Sequence, residues 1–146
     1  MNYELVYQVV NLLALVAWLY LLLMYRRPET TTVLAGSVVA ALCITYVVCL
    51  YQNLSPTDMQ SFQTLAGLQS LQGSAGAVLT GWIHYLAFDL LAGLWMVGNA
   101  QQHAISRWQL SLCLVFTFML GPVGVLLYFV VRWWRTGHYW SAHTAQ

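Results

Sequence analysis

Charge is scarcest in this sequence. Its 146 residues include no lysine, five arginines and four carboxylates (Glu4, Glu29, Asp58 and Asp89), so 6% are charged, against roughly 25% in an ordinary soluble domain. Residues 5–25, 30–57, 59–88 and 108–131 carry no ionised side chain other than histidine. So few charges cannot cover the surface of a water-soluble domain, and five scattered arginines do not make a nucleic-acid-binding face. Hydrophobic residues at 60% exclude a disordered chain. Cysteine is sparse too. Cys43, Cys49 and Cys113 contain no Cys-x-x-Cys pair, and their odd number inside apolar stretches excludes a disulfide framework. Of four histidines only His84 lies within a long apolar run; His103, His138 and His143 do not. That sets aside histidine-rich di-iron membrane oxygenases, and the spacing of His138 and His143 is weak evidence for a metal. With no phosphate-cradling loop, Gly-x-Ser-x-Gly or dinucleotide fingerprint, the sequence implies no cofactor or metal.

Long apolar runs are present instead. A membrane-spanning helix takes roughly 20 mostly apolar residues, and four windows qualify: 5–25, 33–52, 79–98 and 110–131. The first follows Glu4 rather than a basic leader and precedes Arg26-Arg27, which reads as a retained helix and not a signal peptide. The expected fold is all-α: a single integral membrane domain, a four-helix transmembrane bundle with a short interfacial helix between helices 2 and 3. The lipid bilayer and partner helices are its expected partners, and a plasma or inner membrane its location in a bacterial host. Ser55-Pro56-Thr57-Asp58 has the order of a helix start. Phe62, Leu65, Leu68 or Gln69, and Leu71 then recur at near-helical spacing opposite Gln60, Gln63, Thr64 and Ser70, and Gly73 to Gly76 end the segment. Trp133, Trp134, Arg135, Tyr139 and Trp140 read as an aromatic belt at the lipid–water boundary. Four crossings would put both termini and Arg132 and Arg135 on one side, with Arg26, Arg27 and Arg107 on the other.

Asp89 is the most informative residue. A carboxylate near the middle of a spanning helix costs roughly 2.5–3.5 kcal/mol on insertion scales, so Asp89 is expected to face the interior, stay protonated or have a partner. Two readings stand side by side: a proton-handling or substrate-binding acid, and a neutral acid hydrogen-bonded to a neighbouring helix. His84 lies five residues earlier, about 140° around the helix, and Tyr85 can link the two. By itself an intramembrane histidine is more often a packing residue. One stripe reads Trp82, Tyr85, Asp89; a second reads His84, Phe88, Leu91, Trp95. Depth counting puts Asn11, Thr45, Tyr46, His84, Tyr85 and Tyr128 in the half nearer the termini, which suggests a shared interior pocket. Gly121-Pro122-Val123-Gly124 reads as a kink in the fourth helix, freeing the Phe118 carbonyl, which Thr117 or protonated Asp89 can satisfy. The kink serves either a cavity or closer packing.

The segments Gly81-Trp82-Ile83-His84-Tyr85-Leu86-Ala87-Phe88-Asp89-Leu90 and Phe116 to Tyr128, with Arg132, resemble the abscisic-acid-deficient-four-like family, small four-helix membrane proteins of plants and bacteria. Its plant members are associated with forming neoxanthin from violaxanthin in plastid membranes. The likeness covers most of residues 79–132; the first two helices share only hydrophobic character. The chain departs from the family pattern at Leu94, where a basic residue commonly precedes the tryptophan, and near Asn99, where an acid is usual. The resemblance implies a carotenoid or isoprenoid ligand and an epoxide isomerase-like activity. Asp89, His84 and Tyr85 would be the catalytic groups, with Asn11, Tyr46, Trp82, Thr117 and Tyr128 lining the substrate site. The alternative is a non-catalytic membrane protein that binds a lipid or a partner helix.

Overall fold

The computed structural model describes residues 1–27, 29–103, 105–138 and 140, so Tyr139 and His143 lie outside the described residues. Helices account for nearly all of it. Helix α1 (Tyr3–Met24) starts where the Asn2 side chain accepts the Leu5 N–H at 3.2 Å, capping one of the orphan donors of a helix start. Its buried residues Val10, Ala14, Ala17, Trp18 and Leu21 recur every three or four positions, forming one stripe. Helix α2 (Glu29–Asn53) returns antiparallel. The Thr30 hydroxyl donates to the Met24 carbonyl at one end (2.7 Å), and the Tyr3 hydroxyl donates to Asn53 at the other (2.7 Å). One wide π-type turn interrupts α2 at Ala35–Val39.

Between α2 and the next long helix the chain makes a 3₁₀ turn (Pro56–Gln63) and the short helix α3 (Leu65–Leu71). The expected single amphipathic helix is therefore two pieces, divided at Thr64, whose hydroxyl caps α3 by accepting the Gly67 N–H at 3.1 Å. Ser74 accepts from Ala77 N–H at 3.2 Å and starts α4 (Ala75–Gln102), four residues earlier than hydropathy suggests.

The largest departure lies in the fourth apolar run. Residues 110–131 are not one kinked helix. Helix α5 (Arg107–Leu120) stops, Gly121 takes φ +46°, ψ −98°, and α6 (Pro122–Thr136) begins afresh. Pro122 opens α6, where its missing N–H costs no helical bond. A Cβ on Gly124 would collide with the backbone of Thr117. Residues seven apart in a continuous helix are separated by about 10 Å along the axis, so this collision requires α6 to fold back along α5. The pairings with α4 agree. Asp89 meets Gly121, Met96 meets Thr117 on α5, and Asn99 and His103 meet Tyr128 and Arg132 on α6. Thus α4 and α6 run parallel while α5 runs against both. Gly121 is the apex of a helical hairpin whose two feet lie at the same end of the molecule.

The fold-back corrects two expectations. Tyr128 lies in the half opposite Asn11, His84 and Tyr85, hydrogen-bonded to Asn99 Oδ1 at 2.7 Å. The arginines are not split three to two. Arg26 and Arg107 line one cavity, Gln101 donates to the Tyr25 carbonyl at 2.9 Å, and Arg132 contacts His103 just beyond α4. All five arginines, with Glu29, therefore sit at one end, and Glu4 and Asp58 at the other.

Two packed clusters hold the helices together. One joins Trp18, Leu21, Leu90, Met96, Leu114 and Tyr128 of α1, α4, α5 and α6. The other joins Val10, Leu42, Cys49, Leu79 and Ile83 of α1, α2 and α4.

Candidate functional site at the hairpin apex

Asp89 stands near the centre of α4, with thirteen residues of the helix after it. Its carboxylate lies over the apex: a Cβ at Gly121 would be 2.6 Å from Asp89 Oδ1 and 3.1 Å from Oδ2. Gly121 is required here twice, for its positive φ and for the space the carboxylate occupies. Among the described residues no hydrogen bond reaches the Asp89 side chain. Of the two readings of this acid, the one that bonds it to a neighbouring helix has no such bond among the described residues. Asp89 is half-buried and faces a groove of about 550 Å³ between α1, α4 and the hairpin.

Asn11, Trp82, Tyr85 and Asp89 all line this groove, together with Gly121 and Pro122. Asn11 is fixed at both ends of its amide, donating to the Tyr7 carbonyl (2.7 Å) and accepting from Trp82 Nε1 (3.1 Å). The Tyr7 ring tilts against Trp82 at 6.1 Å. The remaining wall is apolar, with Leu15, Phe118 and Met119. Sequence reasoning missed these three; for Leu15, the i, i+4 spacing from Asn11 was the available signal. Tyr85 is 63% exposed and Trp82 40%, so the groove opens sideways from the helix bundle.

His84 and Tyr46 belong to a second cavity of about 270 Å³, beneath Phe62, Leu68 and Leu71. His84 stacks on Phe88 at 4.5 Å and tilts against Tyr46 at 5.6 Å. Tyr85 lines both cavities. Asp89 and His84 therefore do not share one chamber, and Tyr85 stands at the boundary between theirs.

Thr117 and Tyr128 line neither space. Thr117 is fully buried, donating to the Cys113 carbonyl at 2.8 Å, with Met96 Sδ 3.9 Å away. Tyr128 is fully buried half-way along α6, its ring edge-on to Trp95 at 5.5 Å. There it joins a polar group that sequence reasoning missed. His103 Nδ1 lies 2.9 Å from the Asn99 carbonyl, and Arg132, 1% exposed, places Nη2 3.2 Å from His103 Nε2. The carbonyl contact identifies Nδ1 as the protonated nitrogen, leaving Nε2 to accept from the guanidinium. The signal was a single arginine closing an apolar run. Gly121, Pro122 and Gly124, expected as a kink, form the hairpin turn and its close contact.

Three long apolar helices and a fold-back pair with a carboxylate over its apex define the class: small all-helical proteins built like integral membrane proteins. Residues 5–128 match the family profile described as ABA DEFICIENT 4-like (ABA4-like), and the chain belongs to that family. The match takes in α1 and α2 as well as the segments that carried the resemblance. No curated protein and no solved structure matches the chain.

Proposed function

We propose that this is a multi-pass integral membrane protein that binds an isoprenoid lipid, a carotenoid above all, in the Asp89 groove and uses Asp89 to handle a proton there. The membrane placement is supported by what the helices leave outside: Leu12, Ile44 and Leu126 are each more than 60% exposed, on α1, α2 and α6 respectively. Such an apolar exterior suits lipid tails and not water. In this reading α1, α2 and α4 cross the bilayer, and the hairpin enters and leaves on one side. Helix α5, at 14 residues, reaches about 21 Å, short of the roughly 30 Å hydrocarbon core. The arginine-bearing end faces the cytoplasm by the positive-inside tendency. The 3₁₀ turn and α3 lie along the opposite surface.

One observation carries the ligand reading: a carboxyl with no hydrogen-bond partner among the described residues faces a largely apolar groove that opens sideways from the bundle. A protonated carboxyl there would donate to a ligand oxygen. For an epoxide the step balances without a redox partner. The C–O bond breaks as the oxygen takes the Asp89 proton, and a neighbouring C–H gives up its proton as the allene forms. The carboxylate, regenerated by the first transfer, can receive the second. Tyr85, at the groove's margin, orients the polar end. His84 lies across Tyr85 in its own cavity, and that separation favours the second reading, a protein that holds the pigment without converting it.

Purification in mild detergent after co-expression with carotenoid epoxides tests both. The proposal expects a bound pigment spectrum together with an allenic product, and Asp89→Asn retaining the pigment while losing the product. Bound but unchanged pigment establishes the binding reading. No pigment in any preparation overturns both.

A further inference from the structure

We infer that a third cavity, at the arginine-bearing end, is a binding site for the phosphate of an anionic phospholipid. The site rests on the membrane reading above but not on the isoprenoid one. It is a cavity of about 430 Å³ where the ends of α1 and α4 meet the start of α5. Arg26, in the α1–α2 connection, and Arg107, the first residue of α5, both line it, so two arginines from distant parts of the chain border one space. No carboxylate is among its described lining residues. Gln101, its amide fixed on the Tyr25 carbonyl at 2.9 Å, makes a polar rim. The floor is apolar: Ala100, Ile105 and Leu110, all buried.

That combination selects among anions. Paired guanidiniums match phosphate oxygens in geometry and charge. An apolar floor gains nothing from free phosphate, but accommodates the glycerol and first methylenes of a lipid. The position, at the mouths of helices that cross the bilayer, is where headgroup phosphates lie. The end as a whole carries five arginines against Glu29 alone, which concentrates anionic lipid around the cavity. The same ligand would clamp the end of α1 to the foot of the hairpin.

Native mass spectrometry of the full chain in detergent, with equal amounts of palmitoyl-oleoyl phosphatidylglycerol and phosphatidylcholine, tests the site. Retention of phosphatidylglycerol at least fivefold above phosphatidylcholine is expected. Arg26→Gln combined with Arg107→Gln should bring the ratio close to one. Arg27→Gln combined with Arg135→Gln, which removes the same charge from the same end outside the cavity, should leave most of it. Gln101→Glu provides an independent variant that keeps both arginines and should also lower the ratio. Equal retention of the two lipids by the unaltered protein, or an equal loss in both double variants, would overturn the inference. Inorganic phosphate displacing phosphatidylglycerol at equal concentration would assign the cavity to a soluble anion and overturn the lipid claim.

Discussion

Gly121 and Asp89 constrain each other. The backbone angle at Gly121 lies where side-chain-bearing residues are strained, and the space beside it is filled by a carboxylate. Gly121→Ala should cost about 1–3 kcal/mol, the usual range for a residue forced into a sparsely populated backbone region, seen as a lower midpoint of thermal unfolding in detergent. Gly98→Ala is the matched control. It lies inside α4 with nothing within 4 Å of its would-be Cβ, so it should be neutral or stabilising by up to about 1 kcal/mol through helix propensity. Equal losses at the two positions would refute the role given to the turn. Asp58 offers a separate residue-level test outside the three long apolar helices. Its carboxylate accepts from Ser55 N–H at 2.7 Å and from the Ser55 hydroxyl at 2.9 Å, and these bonds hold it below the ordinary aspartate range. A depressed folded-state value stabilises the fold above the ordinary aspartate pKa, and the contribution fades as pH falls through the folded value. Exchange of the Ser55 amide should accelerate, relative to its intrinsic rate, only in that acid range. Asp58→Asn should remove this pH dependence.

At the scale of elements, the hairpin determines which side chains meet. The Tyr128 hydroxyl bonds Asn99 only because α6 runs parallel to α4; a fourth crossing would carry Tyr128 to the other end. Tyr128→Phe and Asn99→Ala should each destabilise, and the pair should be non-additive by about 0.5–1.5 kcal/mol, the net value of a buried hydrogen bond. Strict additivity would count against the contact. Helices α1, α2 and α4 were legible in the sequence because a run of twenty apolar residues has few alternatives, and the start of the 3₁₀ turn was legible from Ser55 to Asp58. The fold-back was not legible. Residues 110–131 are long and apolar enough to cross, and a Gly-Pro pair inside such a run marks a break without giving its angle. That angle is set by tertiary contacts: Gly124 on Thr117, Asp89 over Gly121. Asn11, Trp82, Tyr85 and Asp89 were singled out from spacing and are brought to one groove, since α1 and α4 follow their helical periods closely. Tyr128 and Thr117 were misplaced because both depend on the path of the last two helices.

For the whole molecule, folding back has two consequences. It places the turn and its carboxyl neighbour half-way along the long helices, beside a groove that opens to the surroundings of the bundle. It also gathers every arginine at one end, so that the charge pattern and the proposed orientation agree where four crossings would leave them nearly balanced. The account stands most directly on that topology. Single cysteines introduced as Arg27→Cys, Asp58→Cys and Thr136→Cys can be labelled with a membrane-impermeant maleimide in sealed vesicles of one orientation. The unaltered chain serves as background, since its own cysteines lie within α2 and α5. The account predicts that positions 27 and 136 react from the same side and position 58 from the other. Position 136 reacting together with 58, opposite 27, would mean a fourth crossing and would contradict it.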